Sequence, residues 1–393
     1  MKFNHDMLDV MRKATNLLQS GKKGEATNAI QRLLQRVLPG SESTGAPVLN
    51  PIMKDINPPP SRDQQVEPQA AGNNVPHSPV PDFVADLMNR FGMPAPESSR
   101  TLMPDHADSV ATPGKFLSGS FSNNAGMRKY KLYVPAAYTG KAVPLVVMLH
   151  GCTQNPDDFA AGTEMNAQAE LTPCLVLYPA QSETANSSKC WNWFNAIDQQ
   201  REQGEPSIIA DMTREIIDTY AIERKQVYIA GLSAGGAMAA IMGNTYPELY
   251  AAVGIHSGLP YAAANDLPSA MQAMRAGISA ARLAKTSSPK SQPIIVFHGD
   301  RDHTVHPKNG EQWIEQHVGP RAQSSVESGS VPGGHQYTRT MHRNADGAQV
   351  AEQWLIHGAG HAWSGGSSKG SYTDRRGPQA TREMMRFFST QRN

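Results

Sequence analysis

The sequence predicts an α/β fold, with a mostly parallel central sheet covered by helices and a helical N-terminal extension in front of it. Three observations predict this. From Gly114 onward, short apolar runs alternate with longer segments of helical spacing, the order produced when parallel strands are joined by crossover helices. Several of these runs are apolar without a break, as strands covered on both faces must be. Before Gly114 the composition is first amphipathic and then proline-rich, so that part should not share the core.

Residues 1–39 read as a helical hairpin. Met7, Val10, Met11, Ala14, Leu17 and Leu18 recur at three- and four-residue steps; Gly21 to Gly24 supplies a turn; Ala29, Ile30, Leu33, Leu34, Val37 and Leu38 resume the period. A lone hairpin cannot bury such stripes well. They are expected to pack on each other, on a second copy in a homo-oligomer, or on an apolar surface. Residues 40–113 read as a linker, with Pro58-Pro59-Pro60 and one short amphipathic helix around Phe83, Val84, Leu87, Met88 and Phe91. Residues 114–393 carry the α/β pattern. Strand candidates are Tyr130–Val134, Val143–His150, Cys174–Tyr178, Val227–Ala230, Ala252–Ile255, Ile294–His298 and Ala351–His357, with helices over Ile208–Tyr220 and Ala234–Asn244.

The bulk numbers narrow the function. Apolar residues make up 39% of 393, enough for a large core. Lys and Arg total 36 against 35 Asp and Glu, a net charge of +1, which argues against an electrostatically driven nucleic-acid binder. No run approaches the roughly 20 apolar residues of a membrane span. The first residues lack the apolar region and small-residue cleavage site of a secretory signal, so a cytoplasmic location is expected. Cys152, Cys174 and Cys190 show no C-x-x-C spacing. His303 and His306 lack a third ligand nearby. Neither a metal nor a cofactor is expected.

The chemistry centres on Gly231-Leu232-Ser233-Ala234-Gly235-Gly236, a G-x-S-x-G string. The run VYIA lies directly before it and the small-residue helix AMAAIMGN directly after. This strand–turn–helix context is that of a nucleophile elbow, which raises a serine hydroxyl above the end of a sheet. A serine needs a base, and in this arrangement an acid and then a histidine follow the serine in chain order. His361, in the glycine-rich loop Gly358-Ala359-Gly360-His361, fits the base; His357, at the end of a strand, reads as structural. Asp300 and Asp302 compete for the acid, and Asp302, deeper in its loop, is favoured. The acid would hold the imidazole tautomer and stabilise the imidazolium. Oxyanion donors should be the N–H of Ala234, next after the serine, and that of Cys152 in the loop after VPLVVMLH.

Taken together, LHGCTQNPDDFAAGTEMN, LVLYPAQS, CWNWF, VYIAGLSAGG, GIHSGLP, FHGDRDHTV and GAGHAWSGG closely resemble the polyhydroxybutyrate depolymerase-like esterase family, relatives of feruloyl and acetyl-xylan esterases. The resemblance runs from about Gly114 to Phe388. It implies an α/β-hydrolase fold and carboxyl-ester hydrolysis, triad roles for Ser233, Asp302 and His361, and an oxyanion role for the HGC segment. It also implies a Cys152–Cys190 disulfide, which would leave Cys174 free. Trp191 and Trp193 of CWNWF, with His256 of GIHSGLP, become candidate substrate-binding residues, although either tryptophan would equally suit core packing. The implied substrate is a hydroxyalkanoate polyester, including an insoluble polymer surface, or its oligomers. Alternatives are an aromatic (feruloyl) or acetyl-xylan ester, a broad range of short-chain esters, or a granule-binding protein without activity. Secreted members of the family make an extracellular location the alternative to the cytoplasm.

Overall fold

The computed structural model describes residues 113–286, 292–318 and 322–393. The hairpin expected in 1–39, and the linker and short helix expected within 40–113, lie outside these residues except for the last residue of the linker.

The apolar runs become the middle of a ten-stranded sheet. Its strands are β1 (Lys115–Asn123), β2 (Gly126–Val134), β3 (Val143–Leu149), β4 (Leu175–Pro179), β5 (Ile222–Leu232), β6 (Ala252–His256), β7 (Ile294–Gly299), β8 (Gln323–Ser330), β9 (Gln336–Arg343) and β10 (Gln349–Ile356). They lie in the order β1-β2-β4-β3-β5-β6-β7-β10-β9-β8. From β4 to β10 every neighbouring pair is parallel. An antiparallel pair closes each edge, β1–β2 on one side and β9–β8 on the other.

Helices cover both faces, and the two-residue period of a strand decides which side chain meets which layer. Leu145, Val147 and Leu149 of β3 join a core with Ile208, Ile209 and Met212 of α3 (Gly204–Thr219) and Met238 and Met242 of α4 (Ala234–Thr245). Val146 and Met148 face the other way. They join Phe159 of α1 (Pro156–Thr163), Met165 of α2 (Met165–Leu171) and Met384, Phe387 and Phe388 of α8 (Ala380–Ser389). The remaining helices are α5 (Leu267–Ala276), α6 (Ala280–Thr286) and α7 (Lys308–His317). No helix among the described residues is long and apolar enough to cross a membrane.

The structure adds elements that periodicity missed. β1 and β8 read KFLSGSFSN and QSSVESGS and are mostly exposed. An edge strand is stabilised by its ladder to one neighbour and keeps polar side chains that discourage further pairing, so it carries no apolar run to detect.

Candidate active site

β5 ends at Leu232, and α4 begins at Ala234. Ser233 alone makes the turn, at φ 57° and ψ −119°, a strained conformation for a residue with a side chain. It is held there because its N–H donates to the His256 carbonyl at 2.9 Å and its own carbonyl accepts from Ala237 N–H at 2.9 Å. The neighbouring glycines are steric requirements. A Cβ on Gly231 would sit on the Gly235 carbonyl, and one on Gly235 would strike the Leu149 carbonyl at the end of β3.

The loop after β3 lies against this turn. A Cβ on Gly151 would be 3.7 Å from that of Ser233. The Gly151 N–H donates to Gln154 Oε1 at 2.9 Å, and Thr153 N–H donates to the Ser188 carbonyl at 2.7 Å. Among the described residues Cys152 N–H donates to no protein acceptor. Ala234, as the first residue of α4, likewise has no intrahelical acceptor. Cys152 is bonded to Cys190 in a disulfide, with Cα atoms 4.2 Å apart, which ties this loop to the CWNWF segment. Cys174 is a buried free thiol whose pKa burial pushes up to about 12.

The loop after β7 carries both aspartates. Asp302 is 2% exposed. Its Oδ1 accepts N–H bonds from Thr304 and Val305 at 2.9 and 2.8 Å. Its Oδ2 accepts from His361 Nδ1 at 2.7 Å. Burial alone would raise its pKa; the charge of His361 and hydrogen bonds from His298 and His361 outweigh burial and hold the carboxyl well below the usual carboxylate range. An imidazole whose Nδ1–H is given to a carboxylate presents Nε2 as the basic nitrogen. Asp300 is placed differently. It accepts Gly358 N–H at 2.7 Å and His357 Nδ1 at 3.0 Å, so it braces the start of the His361 loop.

The three candidate substrate-binding residues are all buried. Trp191 is completely buried, and its Nε1–H donates to the His150 carbonyl at 3.1 Å. Trp193 is also buried, edge-on to Phe194. His256 is fully buried between Phe297 and Trp363. Its Nε2 accepts from Ser364 N–H at 3.0 Å, and burial lowers its pKa to about 3. In the folded chain these three side chains pack in the interior. The reason is that the CWNWF and GIHSGLP segments pass under the active-site loops.

Two supports escaped the sequence reading. Gln154 links Gly151 to Ser371, its Nε2 donating to the Ser371 carbonyl at 3.1 Å. Glu205, at 3% exposure, accepts from Asn192 N–H at 2.8 Å and from Gln181 and Arg128. It anchors the cysteine-bearing segment from the first turn of α3. Burial and the nearby Asp198 push its pKa up. Gln154 had a local signal, three residues beyond Gly151; Glu205 had none, because its partners are remote in sequence. Among the described residues no group of three or more His, Cys, Asp or Glu is placed to hold a metal.

Residues 128–327 match the family described as Esterase PHB depolymerase. The chain is 32% identical over 254 residues to poly(3-hydroxyalkanoate) depolymerase C of Paucimonas lemoignei, covering 62% of this chain and 60% of that one. It is 29% identical over 295 residues to poly(3-hydroxybutyrate) depolymerase of Ralstonia pickettii, covering 67% and 58%. It thus spans somewhat under two thirds of the length of both depolymerases. Acetylxylan esterase A of Emericella nidulans is 30% identical over 241 residues, covering 56% and 76%. Among solved structures, acetyl xylan esterase from Aspergillus awamori aligns with a TM-score of 0.51 at 19% identity, covering 67% of this chain and 94% of that one. That likeness is one of fold, the α/β-hydrolase architecture.

Proposed function

Because the chain belongs to the esterase PHB depolymerase family, we propose that it is a serine carboxylester hydrolase working through an acyl-enzyme, with polyhydroxyalkanoate polyester or its oligomers as substrate. One observation carries the reading. The Ser233 turn, the Cys152 loop, the Asp302 loop and the His361 loop all follow the C-terminal ends of parallel strands, with a buried Asp302–His361 bond of 2.7 Å among them. That edge is where open α/β sheets place their chemistry.

In this reading His361 Nε2 takes the Ser233 proton as Oγ attacks the ester carbonyl carbon. The oxyanion is received by the N–H groups of Cys152 and Ala234; loss of one such donor typically costs about 3–4 kcal/mol. Collapse breaks the ester C–O bond, and the leaving alcohol takes its proton from His361. Water, deprotonated by His361, then cleaves the acyl-enzyme and restores Ser233. Asp302 stays ionised and stabilises the imidazolium.

Ser233→Ala should leave the fold intact and reduce ester turnover to the residual, roughly 10³–10⁴ over water, that oxyanion donors and binding supply. A serine-directed organophosphate should label Ser233. Wild-type rates in the alanine variant would end this assignment. The second reading, an acetyl-xylan, feruloyl or broad short-chain esterase, is favoured by the 30% identity to the Emericella nidulans enzyme. A panel of soluble esters against amorphous polyhydroxybutyrate separates the two. A granule-binding protein without activity is a remote third, opposed by the complete set of serine, histidine and acid.

Residues 1–39 are proposed to serve self-association or attachment to an insoluble polyester surface. Deleting residues 1–80 should leave kcat/KM on a soluble ester within a few-fold while lowering polymer binding or solution mass; no change in either would remove that role. The cytoplasmic expectation gives way in this proposal to the extracellular alternative, because the Cys152–Cys190 bond suits an oxidising compartment. Alkylation of both Cys152 and Cys190 in protein unfolded without a reductant would restore the cytoplasmic one.

A further inference from the structure

Tyr372 is the one aromatic residue among the large apolar side chains exposed in the described residues, at 37% exposure. Its backbone is in the left-handed region at φ 52°, which bulky residues rarely adopt. Two sets of contacts hold it there, one from each half of the site. The Tyr372 carbonyl accepts from Trp363 N–H at 2.7 Å, two residues beyond His361. The preceding carbonyl, that of Ser371, accepts from Gln154 Nε2, and the other end of the same Gln154 amide receives the Gly151 N–H. At the tip of the ring the Tyr372 hydroxyl lies 3.3 Å from Thr153 Oγ1. Thr153 Oγ1 already donates to the Cys152 carbonyl at 2.6 Å, so the tyrosine hydroxyl is the donor.

The ring is therefore strapped between the loop that carries His361 and the loop that carries Cys152, with over a third of the residue exposed to solvent. Resting on the esterase reading above, the structure assigns Tyr372 as a specificity-determining residue: an aromatic platform at the mouth of the site for the apolar stretch of an ester oligomer next to the bond being cleaved. The chemistry suits such a chain. A hydroxyalkanoate oligomer presents methyl and methylene groups between its esters, and an aromatic face offers them contact area with few rotors to immobilise. Fixing the ring through both loops keeps that surface in register with the base and the oxyanion donors. Trp191 and Trp193, which sequence had offered for this role, are buried beneath the loops.

The test compares a linear 3-hydroxybutyrate trimer with methyl acetate, which has no repeat unit beyond the ester to lay on the ring. The ratio of their kcat/KM values should fall about tenfold in Tyr372→Ala, the loss expected of one aromatic contact, mainly through a higher KM for the trimer. Tyr372→Phe keeps the ring and should keep the ratio within about twofold of wild type. An unchanged ratio in Tyr372→Ala overturns the proposal. So does a Tyr372→Phe variant that falls as far as alanine, since the bond to Thr153 would then matter and not the ring. Thermal melts of both variants guard against a general loss of structure, which would lower both rates and leave their ratio alone. Failure of the esterase reading looks different: the wild-type protein would hydrolyse neither substrate.

Discussion

The two carboxylate–histidine pairs of the site differ more than their sequence suggests. Asp302–His361 and Asp300–His357 come from the same two chain segments, the loop after β7 and the end of β10 with the loop that follows it. Asp302 is sealed from solvent and receives two backbone N–H groups on one oxygen, while the other meets His361 at 2.7 Å and His298 at 3.5 Å. Asp300 is partly exposed, spends one oxygen on Gly358 N–H, and meets a histidine that is itself 38% exposed. Burial with full hydrogen bonding fixes a charge and its direction; a solvated pair is screened and holds its partner loosely. The first pair is built to polarise an imidazole, the second to fasten the loop that carries it.

Asp302→Asn gives the largest expected effect. The amide can still occupy the space, but it favours the wrong imidazole tautomer, and kcat on a soluble ester should fall by about 10⁴. A loss under tenfold would break the distinction between the pairs.

Removing the disulfide asks whether the oxyanion loop is fastened as the histidine loop is. Closing a loop across 38 residues stabilises by about 3–4 kcal/mol in the chain-entropy treatment. Cys152→Ala combined with Cys190→Ala should lose that much in denaturant unfolding, with kcat lowered as the Cys152 N–H wanders. Unchanged stability and rate would mean that Gln154 and Glu205 hold the loop unaided.

A third histidine sharpens the point about burial. His256 has its pKa depressed to about 3 from the ordinary 6.5 because burial disfavours its charged form. Below pH 6.5 the unfolded chain binds a proton that the folded chain refuses, so stability is full above pH 6.5 and declines as pH falls toward 3. The decline from this one group should approach about 2 kcal/mol by pH 5, read as falling melting temperatures at pH 7, 6 and 5. His256→Gln should flatten that slope. The same slope in the variant would show that other groups, such as His150 with a pKa near 4, carry it all.

Asp300→Asn should be the mildest, a few-fold loss in kcat. The amide oxygen can still accept the Gly358 N–H, and exposed ion pairs contribute little, about 0–1 kcal/mol. A loss equal to that of Asp302→Asn would reverse the roles given to the two aspartates.

Much of this was legible in the residues. The unbroken apolar runs of β3, β4 and β7 mark strands covered on both faces, and the helix after Ser233 follows from its small residues. Boundaries moved by a few residues. β5 extends back to Ile222, because hydrogen bonding to β3 carries the strand beyond its apolar segment. β1, β8 and β9 were invisible: at the edges and in the polar strand β9 next to one, pairing comes from backbone groups that every sequence possesses.

What the sequence determined by itself was local or ordinal: the Ser233 turn, whose glycines are required within five residues, and the order of serine, acid and histidine along the chain. Tertiary structure alone decided the rest. The sequence favoured Asp302 by its depth in a loop, but its bond to His361 joins residues 59 apart. The burial of His256 rests on Ser364, 108 residues away, and the strap across Tyr372 on Thr153, 219 residues away. Burial, pKa and exposure at the site belong to contacts between distant segments. The physical reason is that a side chain's environment is set by whatever the folded sheet brings against it, and sequence periodicity records only which way that side chain points.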